Sequence, residues 1–265
     1  MGLLKRKDPW TERYRQVWKQ EQAFWKKYEE RPAASLEQKL LDAAPEKLLE
    51  LLHGAFVKAF AAVFDKGEGV ISRAGGLPEC RRTYQVNDLA AQLWEDRKSL
   101  RAFSKEAARR GRGSLLAAGG AGVGLGLLGM VLPDVPLFTA ALLKAVYETA
   151  ESFGFRHEER GEQIYALRVI QASLSWGEDL VRQSRELDTF AQTGQWPEPV
   201  DLRQQVSAAA QQLSEAVLGG KLLQNIPVAG AVGGAVDAVC LRRVQRYAAI
   251  KYEKRFLLRR RVEKA

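Results

Sequence analysis

Between Leu115 and Leu132 the chain reads LLAAGGAGVGLGLLGMVL, eighteen residues without a charge. That length just reaches the lower limit for a helix that crosses a bilayer, about 18 residues. Six of the eighteen are glycine and only nine are Leu, Val or Met, so the segment is modestly apolar. Pro133-Asp134-Val135-Pro136 follows at once, a helix breaker that carries its own N-cap in Asp134. A second apolar segment, Leu222 to Val236, is interrupted by Gln224, Asn225 and Pro227. The two look like a loose pair. Each opens with a Gly-Gly step, and each ends near an aspartate, Asp134 or Asp237. Each also spaces small residues four apart: Gly120/Gly124 and Gly122/Gly126 in the first, Gly230/Gly234/Ala238 in the second. That spacing lets two helix backbones approach closely, in lipid or in a water-soluble core. Gly120, Gly122, Gly124, Gly126, Gly230, Gly234, Asp134 and Asp237 are therefore the candidate helix-packing, membrane or partner contacts.

The net charge of +9 is distributed around these segments. Residues 1–113 carry 23 basic and 16 acidic side chains, and residues 242–265 carry 10 basic and 2 acidic. The stretch 133–221 between the apolar segments is acidic, with 8 basic and 13 acidic side chains. Basic regions that abut oily ones attract polyanions, either an anionic leaflet or nucleic acid. Two cysteines, Cys80 and Cys240, are too few for a disulfide framework and suit a reducing compartment. The start, Met1-Gly2-Leu3-Leu4-Lys5-Arg6, has no apolar core for a secretory signal, and Arg6 stands where a myristoylation box needs Ser or Thr.

The chain reads helical nearly throughout, with no run of strict alternation that would make a strand. The expectation is an all-α domain of about eight helices over 35–265, with an aromatic and basic helical extension over 1–34. Trp10, Tyr14, Val17, Trp18, Phe24, Trp25 and Tyr28 share one helical arc of about 120°, and Glu21 falls inside it. Ser35 with Gln38 suggests a capped short helix, and Pro45 opens a helix running to Phe64. Residues 67–80 read as a loop. Asn87 caps an expected helix over about 88–111, whose apolar face is Leu89, Leu93, Leu100, Phe103 and Ala107. Its opposite face is cationic, with Arg97, Lys98, Arg101, Lys105, Arg109 and Arg112. Further helices are expected over 137–153, 159–174, 178–192, 200–218 (ended by Gly219-Gly220) and 228–260. Arg97, Arg101, Lys105, Arg109, Arg112, Arg259, Arg260 and Arg261 are the candidate anionic-surface contacts.

Signatures of catalysis are weak. Gly124-x-Gly126-x-x-Gly129 matches a dinucleotide fingerprint, but Pro133 interrupts the helix the motif needs and no βαβ alternation follows. No P-loop and no nucleophile elbow occur. His157-Glu158-Glu159-Arg160-Gly161 begins like H-E-x-x-H and fails at Gly161, and the other histidine, His53, is far away in sequence. No catalytic, cofactor-binding or metal-binding residues are assigned.

The Gly-rich run followed by Pro133-Asp134-Val135-Pro136-Leu137 and Leu143-Lys144-x-x-Tyr147-Glu148-x-Ala150-x-x-x-Gly154 resembles the EcsC family. So do Glu162-Gln163-x-x-x-Leu167-Arg168-x-Ile170, Ile226 to Gly234, and Tyr247-Ala248-x-x-x-Tyr252-x-x-Arg255-Phe256-Leu257. These motifs span about 45–260. Asp237 departs from the pattern, standing where a neutral polar residue such as Asn is expected. The resemblance implies a bacterial protein encoded beside an ABC transporter, with the ATPase and permease subunits as expected partners, and no established enzymatic activity. The resulting expectation is a non-enzymatic accessory protein in the cytoplasm, held at the inner face of the membrane, with no small-molecule substrate. The alternative is an integral protein spanning at about 115–132 and 222–240. Asp237 and Pro227 make the second span costly, an Asp near mid-span adding about 2.5–3.5 kcal/mol. Nucleic-acid binding through the basic tail and Tyr247, Tyr252 and Phe256 is a lesser reading, as is an unrecognised enzyme around Asp134, Tyr147 and Glu148.

Overall fold

A computed structural model describes residues 8–30, 46–65, 76–110, 135–224 and 235–263. These residues form nine helices and no strand. In chain order they are α1 (Pro9–Lys27), α2 (Glu46–Asp65), α3 (Leu77–Trp94), α4 (97–110), α5 (Val135–Ser152), α6 (Arg160–Leu174), α7 (Gly177–Thr193), α8 (Leu202–Gln224) and α9 (Ala235–Glu263). The Ser35/Gln38 cap, Asp134, and the segments Leu115–Leu132 and 225–234 lie outside the described residues.

α9 is the axis of the fold, packing against α1, α5, α6, α7 and α8. A helix enclosed on all sides is normally apolar on all sides. α9 instead buries Arg243, Lys251, Glu253 and Lys254 beside Leu241, Val244, Tyr247, Tyr252, Phe256 and Leu257. Each of the four cations and anions must then find a partner, and α1 supplies several. Asp8 caps α1 by accepting from the Thr11 amide at 2.8 Å, Pro9 occupies the first turn, and Lys26 and Lys27 meet the C-terminal end of its dipole. The helix buries Trp10, Val17, Glu21 and Phe24 along one stripe. It runs antiparallel to α9. Trp10 meets Phe256 at 6.1 Å, the Arg13 Nε donates to Glu253 Oε1 at 2.5 Å, and Phe24 meets Tyr247 at 4.8 Å.

Phe256 is also the hub that fastens α3, α4 and α5. Its ring lies 4.7 Å from Phe103, 6.0 Å from Phe153 and 6.3 Å from Tyr84. Tyr84 presses on Gly154, where φ is +77° and a Cβ would come within 2.3 Å of the ring. Only glycine fits there, by conformation and by space. On the other flank α2 packs on α5 and α8, and His53 Nε2 lies 3.1 Å from Ser207 Oγ.

Helices α2, α5, α6 and α7 form where periodicity and caps place them. Three expectations are corrected. The expected single helix over 88–111 is two: α3 starts at Leu77, inside the expected loop, and ends at Trp94. Glu95 then takes a left-handed conformation (φ 41°) and Asp96 caps α4, accepting from the Ser99 amide at 2.7 Å. Gly219-Gly220 does not stop α8, which runs through both to Gln224. At Gly220 a Cβ would lie 2.7 Å from Val236, so the missing side chain admits a close approach of α9. The last helix is described from Ala235 and continues to Glu263, beyond the expected end.

Candidate functional site

The corner at Glu95–Asp96 decides what the surface of α3 offers. α3 buries Leu77, Cys80 and Ala91 on one face. At 100° per residue, Arg82, Val86, Leu89 and Leu93 share an arc of about 60° on the opposite face. All four are exposed: Val86 is 68 %, Leu89 59 % and Leu93 68 % accessible, and Trp94, at the end of the helix and about 80° outside that arc, is 70 % accessible. Leu89 and Leu93, expected to face the core, therefore point to solvent. Leu100, Phe103 and Ala107 of α4 are buried as expected. The sequence kept one apolar period running through 89, 93, 100 and 103, but the two-residue corner breaks that phase.

The solvent face of α4 is cationic. Lys98, Arg101, Lys105 and Arg109 are exposed, within an arc of about 80°. Arg97 is exposed and ion-paired to Glu12 of α1, and Arg109 pairs with Glu106 at 2.8 Å. Exposed Glu95 and Asp96 interrupt the row at the corner. The exposed apolar face of α3 and the cationic face of α4 are thus consecutive in the chain, separated by an acidic corner. Large exposed apolar side chains grouped on one helix face mark an interaction surface.

The other expected cations sit differently. Arg259 donates to the Phe153 and Gly154 carbonyls and to the Tyr84 hydroxyl, at 3.2–3.4 Å. Arg260 pairs with Asp88. Arg259 ties α9 to α3 and to the turn after α5, Arg260 ties it to α3, and of the three only Arg261, over the Tyr14 ring at 5.3 Å, is exposed. Arg112, Asp134, Gly120, Gly122, Gly124, Gly126, Gly230 and Gly234 lie outside the described residues, as does the side chain of Asp237. Among the described residues no helix is long and apolar enough to cross a membrane.

Three buried polar groups escape sequence reasoning. The first joins α1, α7 and α9. Lys251 Nζ donates to Glu21 Oε1 at 2.8 Å, to Asp188 Oδ1 at 2.5 Å and to the Ser184 carbonyl at 2.9 Å. Lys254 bonds the other oxygens of the same two carboxylates. Burial alone would raise the Glu21 pKa, but Lys251 and Lys254 outweigh it and hold the carboxyl below its ordinary value. Burial would likewise lower the Lys251 pKa, and Glu21 and Asp188 reverse that. The hint in the sequence was Glu21 itself, a charge inside an aromatic stripe.

The second group lies between α3 and α5. Arg81 grips Glu151 through two bonds of 2.8 and 3.0 Å and bonds Glu158 at 2.8 Å. His157 Nδ1 lies 2.9 Å from Glu151 Oε1. The ligand atoms of Glu151, His157 and Glu158 fall within 4.8 Å of one another, a spacing that a divalent cation could use. Arg81 already supplies positive charge to both carboxylates, so the group is ion-paired without a metal.

The third lies between α6 and α9, where Glu162 is 3 % accessible. Arg255 Nη1 donates to Glu162 Oε2 at 2.7 Å. The other oxygen, Oε1, has no partner of hydrogen-bond geometry, although the Tyr252 hydroxyl lies alongside. Burial pushes this carboxyl above the ordinary carboxylate range against the pull of Arg255.

A model described as the EcsC protein family matches residues 11–257. No curated protein and no solved structure shows significant similarity to the chain. The match starts inside α1, further toward the N-terminus than the motifs that carry the resemblance, and runs into the last turns of α9. Nearly the whole helical assembly is therefore matched, and the chain belongs to the EcsC protein family.

Proposed function

We propose that this protein is a non-enzymatic accessory protein that binds peripherally to the cytoplasmic face of the cell membrane. The exposed stripe of Val86, Leu89, Leu93 and Trp94 carries the reading. Such a stripe gains by entering the headgroup boundary, and a large aromatic beside leucines is the composition that interfacial helices use. The occupant is a lipid surface rather than another protein because the next helix presents Lys98, Arg101, Lys105 and Arg109. Each cation near an anionic leaflet adds about 1 kcal/mol. The ABC transporter enters through the family resemblance, and the accessory role follows from it: a protein held at the bilayer by this face is concentrated where a permease and its ATPase work.

Flotation with phosphatidylglycerol-containing and purely phosphatidylcholine vesicles tests the membrane reading. Binding to the anionic vesicles that weakens with salt is expected. Failure to float with either vesicle, in low salt, would overturn it. Co-purification of the tagged protein from detergent extract tests the transporter, and absence of both transporter subunits from the eluate would remove that partner.

A further inference from the structure

The C-terminal half of α9, the Gly154–Arg156 turn and the end of α7 enclose a cleft of about 890 Å³, within the range of about 300–1,000 Å³ usual for small-molecule sites. Four arginines line it, Arg156, Arg255, Arg259 and Arg261, against two glutamates, Glu159 and Glu162. The lining therefore carries two positive charges in excess. The pairing of these arginines is incomplete. Arg255 is wedged over Phe155 at 4.2 Å and Tyr165 at 4.3 Å, with 16 % of its side chain accessible. A guanidinium has five N–H groups, and among the described residues only one of those on Arg255 reaches an acceptor, Glu162. Arg259 stacks on Phe155 at 4.6 Å and bonds neutral oxygens alone. Neither it nor Arg261 pairs with a carboxylate among the described residues. Buried Glu162, with the Tyr252 hydroxyl alongside, lines the same cleft. Leu258, Phe155 and Phe190 form its apolar wall.

From this geometry we propose that the cleft binds a phosphate monoester, its dianion on the Arg255 and Arg259 guanidiniums, with exposed Arg156 and Arg261 adding positive charge at the rim, and its organic part against Phe155, Phe190 and Leu258. Planar guanidinium forks match phosphate oxygens two at a time, and the excess of two charges suits a dianion. Stacking on aromatic rings has already fixed two of the forks, so little side-chain freedom is lost on binding. The site is separate from the α3 stripe and does not depend on the membrane reading.

Calorimetric titration of the full chain with phenyl phosphate and with inorganic phosphate provides the test. Saturable binding of both is expected, phenyl phosphate about tenfold tighter because its ring gains the apolar wall. Arg259→Gln should weaken phenyl phosphate about tenfold or more. The double variant Arg156→Ala/Arg261→Ala, at exposed positions that cannot unfold the core, should weaken it several-fold. No binding heat at millimolar probe, or unchanged affinity in the double variant, would overturn the proposal, unless the phosphate is that of a lipid. Phosphatidic acid vesicles separate the two sources. Loss of vesicle binding in the Arg156→Ala/Arg261→Ala variant, with phenyl phosphate inert, assigns the site to a headgroup; no loss there as well rejects it. A Leu89→Ser/Leu93→Ser/Trp94→Ser variant that no longer floats but still binds phenyl phosphate would show that the two surfaces act independently.

Discussion

Two regions of this molecule invert the usual arrangement of an amphipathic protein. Where α1, α7 and α9 meet, Glu21, Lys251 and Lys254 are buried with Asp188, and every one of the four has a partner of opposite charge. On α3, four large apolar side chains, Val86, Leu89, Leu93 and Trp94, are mostly open to solvent. The interior holds charge because each charge is paired. The surface shows oil because a corner at Glu95 turned a helix face outward. Partner supply, rather than residue type, decides which side chains can stay buried at equilibrium, and an apolar group without a partner marks a surface still to be covered.

The largest expected effect comes from breaking the interior side of that contrast. Glu21→Ala leaves Lys251 and Lys254 sharing Asp188 alone, and should cost about 3–5 kcal/mol, read by chemical denaturation. A loss below about 1 kcal/mol would mean the cluster adds nothing to stability. Replacing all four residues by apolar ones of similar volume should restore most of the loss, since a buried pair is often no better than good apolar packing.

Acid should do gradually what Glu21→Ala does at once. Glu21 and Glu151 both have carboxyls held below the ordinary value of 4.5. A carboxyl depressed in the folded state stabilises above its unfolded pKa and loses that contribution as pH falls through the folded one. Thermal unfolding followed from pH 6 downward should therefore show stability declining progressively below about 4.5, and the Glu21→Ala variant should show a shallower decline. An identical slope in the two proteins would remove Glu21 from the account.

The exterior side should respond oppositely. Leu89→Ser/Leu93→Ser/Trp94→Ser changes side chains mostly open to solvent, so folding stability should shift by no more than about 0.5 kcal/mol. Affinity for phosphatidylglycerol vesicles should drop at least about tenfold, since each apolar side chain taken out of water is worth about 1.5–3 kcal/mol when fully buried. A destabilised variant would mean that the stripe is packed in solution. Smallest of all, Arg101→Ala and Lys105→Ala should each weaken anionic-vesicle binding by about 1 kcal/mol at low salt, an effect that fades as salt rises. Equal losses on neutral vesicles would show that these cations act through something other than headgroup charge.

How much of this was legible beforehand depended on whether the signal was local. Pro45 ahead of a leucine and phenylalanine period marks α2, and Gly194 after α7 takes φ 72°, the left-handed stop that glycine favours. The corner at Glu95 carries only the mark of Asp96, which caps α4. No Gly, Asn or Pro stands there, and the apolar spacing on either side continues as if the helix were one. Gly219-Gly220 misleads in the other direction: read as a stop, it serves the close approach of Val236. The buried charges were the hardest to read. Lys251 and Lys254 sit in a run of basic residues that looks solvated, and their partner Glu21 lies some 230 positions away. The family motifs fared better, because Glu162, Tyr252 and Arg255, scattered in sequence, meet at one buried carboxylate.

That long-range fastening has a consequence for biosynthesis. Glu21 and the tryptophans of α1 leave the ribosome long before Lys251 and Lys254 exist to receive them. Until α9 is made, the early helix has an oily flank and an acid with no seat. Contacts so distant along the chain close late, and elongation at about 5–20 residues per second keeps the segment waiting for seconds or longer. A nascent chain halted before Lys251 should accordingly engage holding chaperones through α1 and release them when translation resumes.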